Sequence, residues 1–340
     1  MNEKVTIYDI AKKLNITAAT VSRALNNNAK ISETTRKLVM ETANQMNYKQ
    51  NQLAQALRSG RSNNVGVIVP RVDSNFFGST IRGIEEVLQA MKYNVIICQT
   101  HEDEEREIEN LNTLLNAQVD GIIISITNKS KENEKILKRI TDNNIPLIFF
   151  DRRKNIDGVS SVTIDDYKAG YMATQHLIDQ GCRFIAHLSG DQSLEIYENR
   201  FKGYSQALLD NDMKVNQDYV IFTKSKVEEG ALAVKKLLLL DQAPDAIFSS
   251  SDFAALGAIQ ELKASGKSIP DDVCVVGFGN EPFTKFMELS ISSVDQAALE
   301  MGKVAAEVFL EQINNKSGVK IEKKMVLSPV LQIRKSSGRK

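Results

Sequence analysis

The chain has 340 residues, 42% apolar and 25% charged, with 43 Lys and Arg against 43 Asp and Glu. That length allows two or three cores; no apolar run approaches the roughly 20 residues that cross a bilayer, and the polar start Met1–Thr6 has no signal-peptide core behind it, so a cytoplasmic protein is expected. The charge is unevenly placed: residues 1–64 carry ten basic and four acidic side chains, a net +6, and the remainder is −6, so only the N-terminal end suits a phosphate backbone.

Thr6 followed by Asp9 has the form of a capping box, and Ile7, Ile10, Ala11 and Leu14 recur at helical spacing. Asn15 can take the left-handed conformation that ends this helix. Thr17 then caps a second helix with Val21, Ala24 and Leu25 inward. Ser32 caps a third, with Leu38, Val39, Thr42, Ala43 and Met46 closing a small core. In a helix-turn-helix the second helix enters the major groove. Its outer face here is Ala18, Ala19, Ser22 and Arg23: the guanidinium can pair with guanine, and the alanine methyls can pack on thymine. A three-helix cap that only packs on the rest of the chain is the competing reading of the same pattern.

"TIYDIAKKLNITAATVSRALNN" and "ISETTRKLVMETANQMNY" closely resemble the DNA-binding headpiece of the LacI/GalR (lactose-repressor and galactose-repressor) family. The resemblance implies that Ala18, Ala19 and Arg23 read operator bases, with Thr6, Thr17, Thr20, Ser22 and Asn28 as further DNA-contacting candidates. The next stretch, "NQLAQALRSGRSNN", starts as an amphipathic helix too short to be stable alone and ends as a Gly, Ser and Asn linker. In the family the matching segment folds on the operator and pushes a leucine into the minor groove, which makes Leu57 the expected wedge. Gln50 and Gln55 stand where the family usually has proline and arginine, so hinge stability and operator choice depart from the pattern.

From Val65 onward short apolar strands alternate with amphipathic helices: "VGVIVP", "NVIICQ", "GIIISI", "IPLIFFD", "SVTID", "FIAHLSG", "AIFSSSD" and "VCVVGFG". Such alternation predicts parallel βαβ units in two doubly wound lobes, whose ligands bind beyond the carboxyl ends of the strands. The residues standing there are Arg71, Asp73, Phe76 and Phe77; Ser125; Asp151 and Arg152; Asp165; Gly190 and Asp191; Ser251 and Asp252; and Gly279 and Asn280. Carboxylates, amides and aromatic faces converging on a cleft suit a sugar-like ligand, although Asp, Ser and Asn after a strand serve equally as helix caps. The family resemblance continues from "NNVGVIVP" to "VLSPVLQIRKS". It implies a periplasmic-binding-protein-like fold with Phe76, Phe77, Asp151, Arg200, Ser251 and Asp252 lining an effector cleft. At Gly279 many members carry aspartate; here only Asn280 supplies a polar group. Arg71, Arg152 and Arg153 would also tolerate a phosphorylated sugar.

The expected organisation is an all-α helix-turn-helix headpiece (1–49), a hinge and linker (50–64), and an α/β two-lobed effector domain (65–340). Its N-lobe is placed at about 65–162 and 293–321, its C-lobe at about 163–292 and 322–334. The expected function is sequence-specific transcription regulation, as a repressor of carbohydrate genes acting as a homodimer on operator DNA under a sugar or sugar phosphate. No heptad helix follows the last strand, so no tetramer is expected. An enzyme is disfavoured: there is no P-loop, "GFGNEP" has proline where the third glycine of a dinucleotide loop belongs, and His101, His176 and His187 lack metal spacing. No metal or cofactor is expected, and Cys98, Cys182 and Cys274 are read as core thiols. A solute-binding protein of a sugar transporter is the alternative, but it would need export.

Overall fold

The computed structural model describes residues 5–48, 60–127, 131–315, 317 and 321–339. The chain divides into a unit of residues 1–62 and a unit of residues 63–340.

The first unit contains α1 (Ile7–Leu14), α2 (Ala18–Leu25) and α3 (Glu33–Gln45). The Thr6 amide donates to Asp9 Oδ2 at 2.8 Å, and α1 ends on Asn15 at φ 52°, where an asparagine tolerates the left-handed region. Thr17 Oγ1 accepts from the Thr20 amide and Ser32 Oγ from the Thr35 amide, each satisfying a donor that the helix leaves open. Ile10, Ala11, Val21, Ala24, Val39 and Ala43 form the core. Leu38 does not join it and is 50% exposed. Helical period alone admits Leu38 to the inner face, but with only two partner helices the buried stripe narrows to Val39, Thr42 and Ala43.

The second unit holds two six-stranded sheets. The first runs β11-β5-β4-β3-β1-β2, from β1 (Asn64–Val69), β2 (Asn94–Gln99), β3 (Gly121–Ile124), β4 (Leu147–Phe150), β5 (Ser160–Ile164) and β11 (Lys324–Leu327). The second runs β12-β10-β9-β8-β6-β7, from β6 (Ile185–Ser189), β7 (Val220–Phe222), β8 (Ala246–Ser249), β9 (Cys274–Phe278), β10 (Ser292–Asp295) and β12 (Val330–Gln332). Every pairing is parallel except β10 with β12. Both sheets therefore repeat one doubly wound order, with the direction of strand addition, not strand polarity, reversing between β1 and β3 and between β6 and β8. Central strands such as β3, β4, β6 and β8 are buried along their whole length, as strands covered by helices on both faces must be. The edge strand β2 is half-exposed, and Cys98 lies on it; Cys182 and Cys274 are buried, and all three thiols are free.

The lobe boundaries differ from the sequence reading. Ser292–Asp295 belongs to the second sheet, paired with β9, and Lys324–Leu327 to the first, paired with β5. Between them α12 (Ala298–Asn314) lies on the first sheet, where Phe309 meets Tyr93 edge to face at 5.4 Å. The chain thus crosses between lobes after Ile164, after Asp295 and after Leu327. Each crossing follows a strand's carboxyl end or leads into a closing edge strand, a pattern that strand spacing alone does not order. The short β7 was also absent from the sequence reading, since three residues are too few to show a period.

The chain's last segment is embedded in the second lobe. Ser336 and Ser337 are 0% exposed. Ser336 Oγ donates to the Val275 carbonyl and accepts from the Ser292 amide, and Ser337 Oγ lies 2.8 Å from His176 Nε2.

Candidate DNA-reading face and effector cleft

On the headpiece, Ala19 and Arg23 are exposed on α2. Among the described residues no hydrogen bond or ion pair engages the Arg23 guanidinium. Ala18 is half-buried against the headpiece core, so its methyl is less available than that of Ala19. Thr17 and Thr20 are tied together, their hydroxyls 2.9 Å apart in the cap, and Thr6 Oγ1 donates to Asp9. Asn28 Oδ1 accepts from the Lys30 amide, which shapes the turn into α3. Ser22 is half-buried. Leu57, Gln50 and Gln55 lie outside the described residues. Tyr8, 71% exposed on α1, is an aromatic that the sequence reading passed over.

In the large unit the carboxyl ends of the strands gather polar side chains from both lobes. On the first lobe, Asp151 follows β4 at φ 59°, a sparsely populated conformation for a side-chain-bearing residue. Ser125 Oγ donates to Asp151 Oδ2 at 3.1 Å. Burial pushes the Asp151 carboxyl above its ordinary value, against the pull of Arg152 and Arg200. Arg152 grips Glu102 with both terminal nitrogens, at 2.6 and 3.1 Å. Phe76 and Phe77 open α4 (Asn75–Ala90), both 7% exposed, with Phe77 edge-on to Phe150 at 6.2 Å.

On the second lobe, α7 (Asp166–Asp179) and α8 (Glu195–Asp210) touch backbone to backbone. A Cβ on Gly170 would lie 2.2 Å from the Arg200 carbonyl, and one on Gly203 would lie 2.0 Å from the Tyr167 carbonyl. Only glycine permits this approach, and it brings Asp166 and Arg200 together. Arg200 is 3% exposed. Its Nε donates to Asp166 Oδ1 at 2.7 Å, Nη1 to the Ser250 carbonyl at 3.3 Å and Nη2 to Gln296 Oε1 at 3.4 Å, while the guanidinium lies 3.5 Å above the Phe278 ring. Burial pushes Asp166 up to about 6 even beside this partner.

Asp252, 1% exposed, opens α10 (Asp252–Ala264) and accepts from Ser293 Oγ at 2.7 Å and the Glu281 amide at 2.8 Å. Burial nonetheless pushes it up to about 6. Its Oδ2 holds the loop after β9 through the Glu281 amide, and its Oδ1 ties the start of α10 to β10 through Ser293. Asn280 has both ends of its amide engaged within the lobe: Nδ2 donates to Asp295 and Oδ1 accepts from Arg334. Ser251 is half-buried and its side chain caps no helix amide.

Ser125, Asp151 and Arg200 are therefore brought together, Asp252 and Asn280 serve their own lobe, and Phe76 and Phe77 pack beside the first-lobe wall. Ile126, Asp151, Arg152 and Thr163 of the first lobe face Asp166 and Asn199 of the second around about 480 Å³ of space open to solvent. Arg153 Nη2 bridges the lobes to Glu195 Oε1 at 3.0 Å. The sequence reading missed Asp166, Glu281 and Gln296. Gln296 follows a strand, which is the right signal, but β10 was not among the strands recognised. Glu281 sits one residue beyond Asn280, where the strand-end signal stops.

The headpiece and the large unit each match a described family. Residues 6–51 match "Bacterial regulatory proteins, lacI family", and residues 62–331 match "Periplasmic binding proteins and sugar binding domain of LacI family". The chain is 34% identical over 314 residues to catabolite control protein A of Priestia megaterium, covering 92% of this chain and 94% of that one. It is similar to a LacI family transcriptional regulator from Enterococcus faecium solved with bound ribose, with 27% identity, a TM-score of 0.71, and 81% of this chain and 98% of that one covered. It shares the fold of the lac repressor dimer bound to operator and an anti-inducer, at a TM-score of 0.88 and 21% identity over 98% of this chain and 99% of that one.

Proposed function

Because the chain belongs to the lacI family of bacterial regulatory proteins, we propose that it is a cytoplasmic, homodimeric repressor of carbohydrate genes whose cleft senses a sugar-like effector. Membership makes it a DNA-binding transcription regulator, and the headpiece match at residues 6–51 favours this over a transporter's solute-binding protein. The observation that carries the reading is the outer face of α2, which leaves Ala19 and Arg23 exposed with nothing among the described residues bonded to the guanidinium. In the major groove, Arg23 would take two acceptors of a guanine, Ala19 a thymine methyl, and the surrounding lysines the phosphates. Two such headpieces on two half-sites require a dimer.

The division is headpiece 1–49, hinge 50–64 with Leu57 as the minor-groove wedge, and effector domain 65–340, with the lobes crossed as described above. Among the described residues no helix is long and apolar enough to cross a membrane. The cleft is read as a binding site and not a catalytic one. Effector binding across it changes the relation of the lobes and so the affinity for DNA, and the coupling is reciprocal.

The test is binding of the full chain to DNA from beside its own gene at two salt concentrations, with and without sugars and sugar phosphates. Salt-sensitive binding that one compound alters is expected. Loss of all sequence preference would overturn the reading.

A further inference from the structure

Gly279 ends the β9 strand region at φ 121°, a conformation that residues with a Cβ rarely adopt. A Cβ placed there would lie 3.5 Å from Asp252 Oδ2, 3.9 Å from Gln296 Nε2 and 3.9 Å from Glu281 Cγ. The Glu281 side chain thus borders the sector that residue 279 leaves empty. Its backbone is pinned, the amide to Asp252 Oδ2 and the carbonyl to Thr284 Oγ1. Its carboxylate is not: the residue is only 8% exposed, yet among the described residues no hydrogen-bond donor reaches that group. The charged groups acting on it are Asp252 behind it and Arg71 of the opposite lobe.

The arginines of the cleft are already committed to carboxylates: Arg71 to Asp73, Arg152 to Glu102, Arg153 to Glu195 and Arg200 to Asp166. Apart from the buried Arg152 Nε, which lies 3.7 Å from Asp151 Oδ2 and has no partner at hydrogen-bond distance among the described residues, what the cleft has to offer is acceptors. An anion entering it would meet the charges of Asp151 and Glu281 and find arginines already neutralised by carboxylates. A ligand rich in hydroxyl groups instead brings donors to Glu281, which no donor reaches among the described residues, and to Asp151, which accepts from Ser125 Oγ alone within hydrogen-bond distance. We propose that Glu281 is a ligand-binding group of this cleft, standing in for the missing side chain at 279, and that the ligand is an uncharged polyhydroxy compound and not its phosphate ester. This rests on the sugar-sensing reading above and narrows it.

Burial, reinforced by the Asp252 charge, pushes Glu281 up to about 7, with Arg71 opposing. A hydroxyl donor binds the ionised form best, so binding releases a proton and tightens as pH rises. If only the ionised form binds, affinity increases about tenfold from pH 6 to pH 8.

The experiment is calorimetric titration of the full chain with ribose, glucose and galactose and with ribose 5-phosphate, glucose 6-phosphate and galactose 1-phosphate. It is run at pH 6, 7 and 8 in two buffers of different ionisation heat. A neutral sugar is expected to bind with proton release and a rising pH profile, and Glu281→Gln, checked by its melting curve to be folded, is expected to flatten both. A phosphate ester binding more tightly than its parent sugar, or a pH slope surviving in Glu281→Gln, would overturn the proposal. If none of the six compounds binds, the sugar-sensing reading itself falls, and this inference with it.

Discussion

In the headpiece, Arg23 stands exposed with its guanidinium unengaged among the described residues; in the large domain, Arg200 is 3% exposed with three acceptors and an aromatic ring around it. On the proposed function, the same side chain is kept free where the partner is outside and tied down where the partner must fit between existing groups. A surface reader needs its donors unspent, because DNA supplies the acceptors. A cleft that closes on a ligand needs its walls rigid, because each mobile side chain ordered on binding subtracts from affinity.

That difference should appear when each arginine is removed. Arg200→Ala should lower the stability of the large domain by about 3–5 kcal/mol, since Asp166 would stay buried without its partner; urea unfolding measures it, and a loss well below this would break the comparison. The deficit should widen as pH rises above about 6, where the wild-type Asp166 carboxyl ionises beside Arg200. Without Arg200 the folded protein still holds Asp166 protonated there while the unfolded chain is ionised, so the variant goes on losing stability with rising pH after the wild type has stopped. Asp252→Ala should cost about 2–3 kcal/mol, because the Glu281 amide and the Ser293 hydroxyl both lose their acceptor; Asp252→Asn should recover part of it in the same assay.

The remaining effects belong to the headpiece. Arg23→Ala should weaken operator binding by about 1–3 kcal/mol with the melting temperature unchanged, and equal affinity for wild type and variant in a gel-shift titration would remove Arg23 from the reading face. Thr17→Ala should be the smallest, about 1 kcal/mol of headpiece stability through the lost cap, seen as a lower melting point of the helical signal.

The headpiece was legible in sequence because its rules are local. A capping threonine, a left-handed asparagine and a helical period all act within four residues, and Thr6, Asn15, Thr17 and Ser32 stand where those rules put them. Leu38 was misplaced because period gives an angle but not the width of the partner surface. In the large domain the strands and their carboxyl-end residues were legible for the same local reason. Their pairings were not: Asn280 meets Arg334, Arg200 meets Gln296, and Glu281 takes the sector beside Gly279, contacts that join separate strands and the far end of the chain. The order of lobe crossings was hidden likewise, since β10 and β11 look alike as short segments and only their neighbours assign them.

The burial of Ser336 and Ser337 sets a timetable for synthesis. The headpiece core is complete within the first 48 residues and can form as soon as they leave the ribosome, whereas the second lobe has to wait for Ser336 and Ser337 to fill the space between β9, β10 and His176. A chain cut before Ser336 would therefore carry a finished headpiece and an unfinished second lobe, one unit folded and the other left without its closing segment.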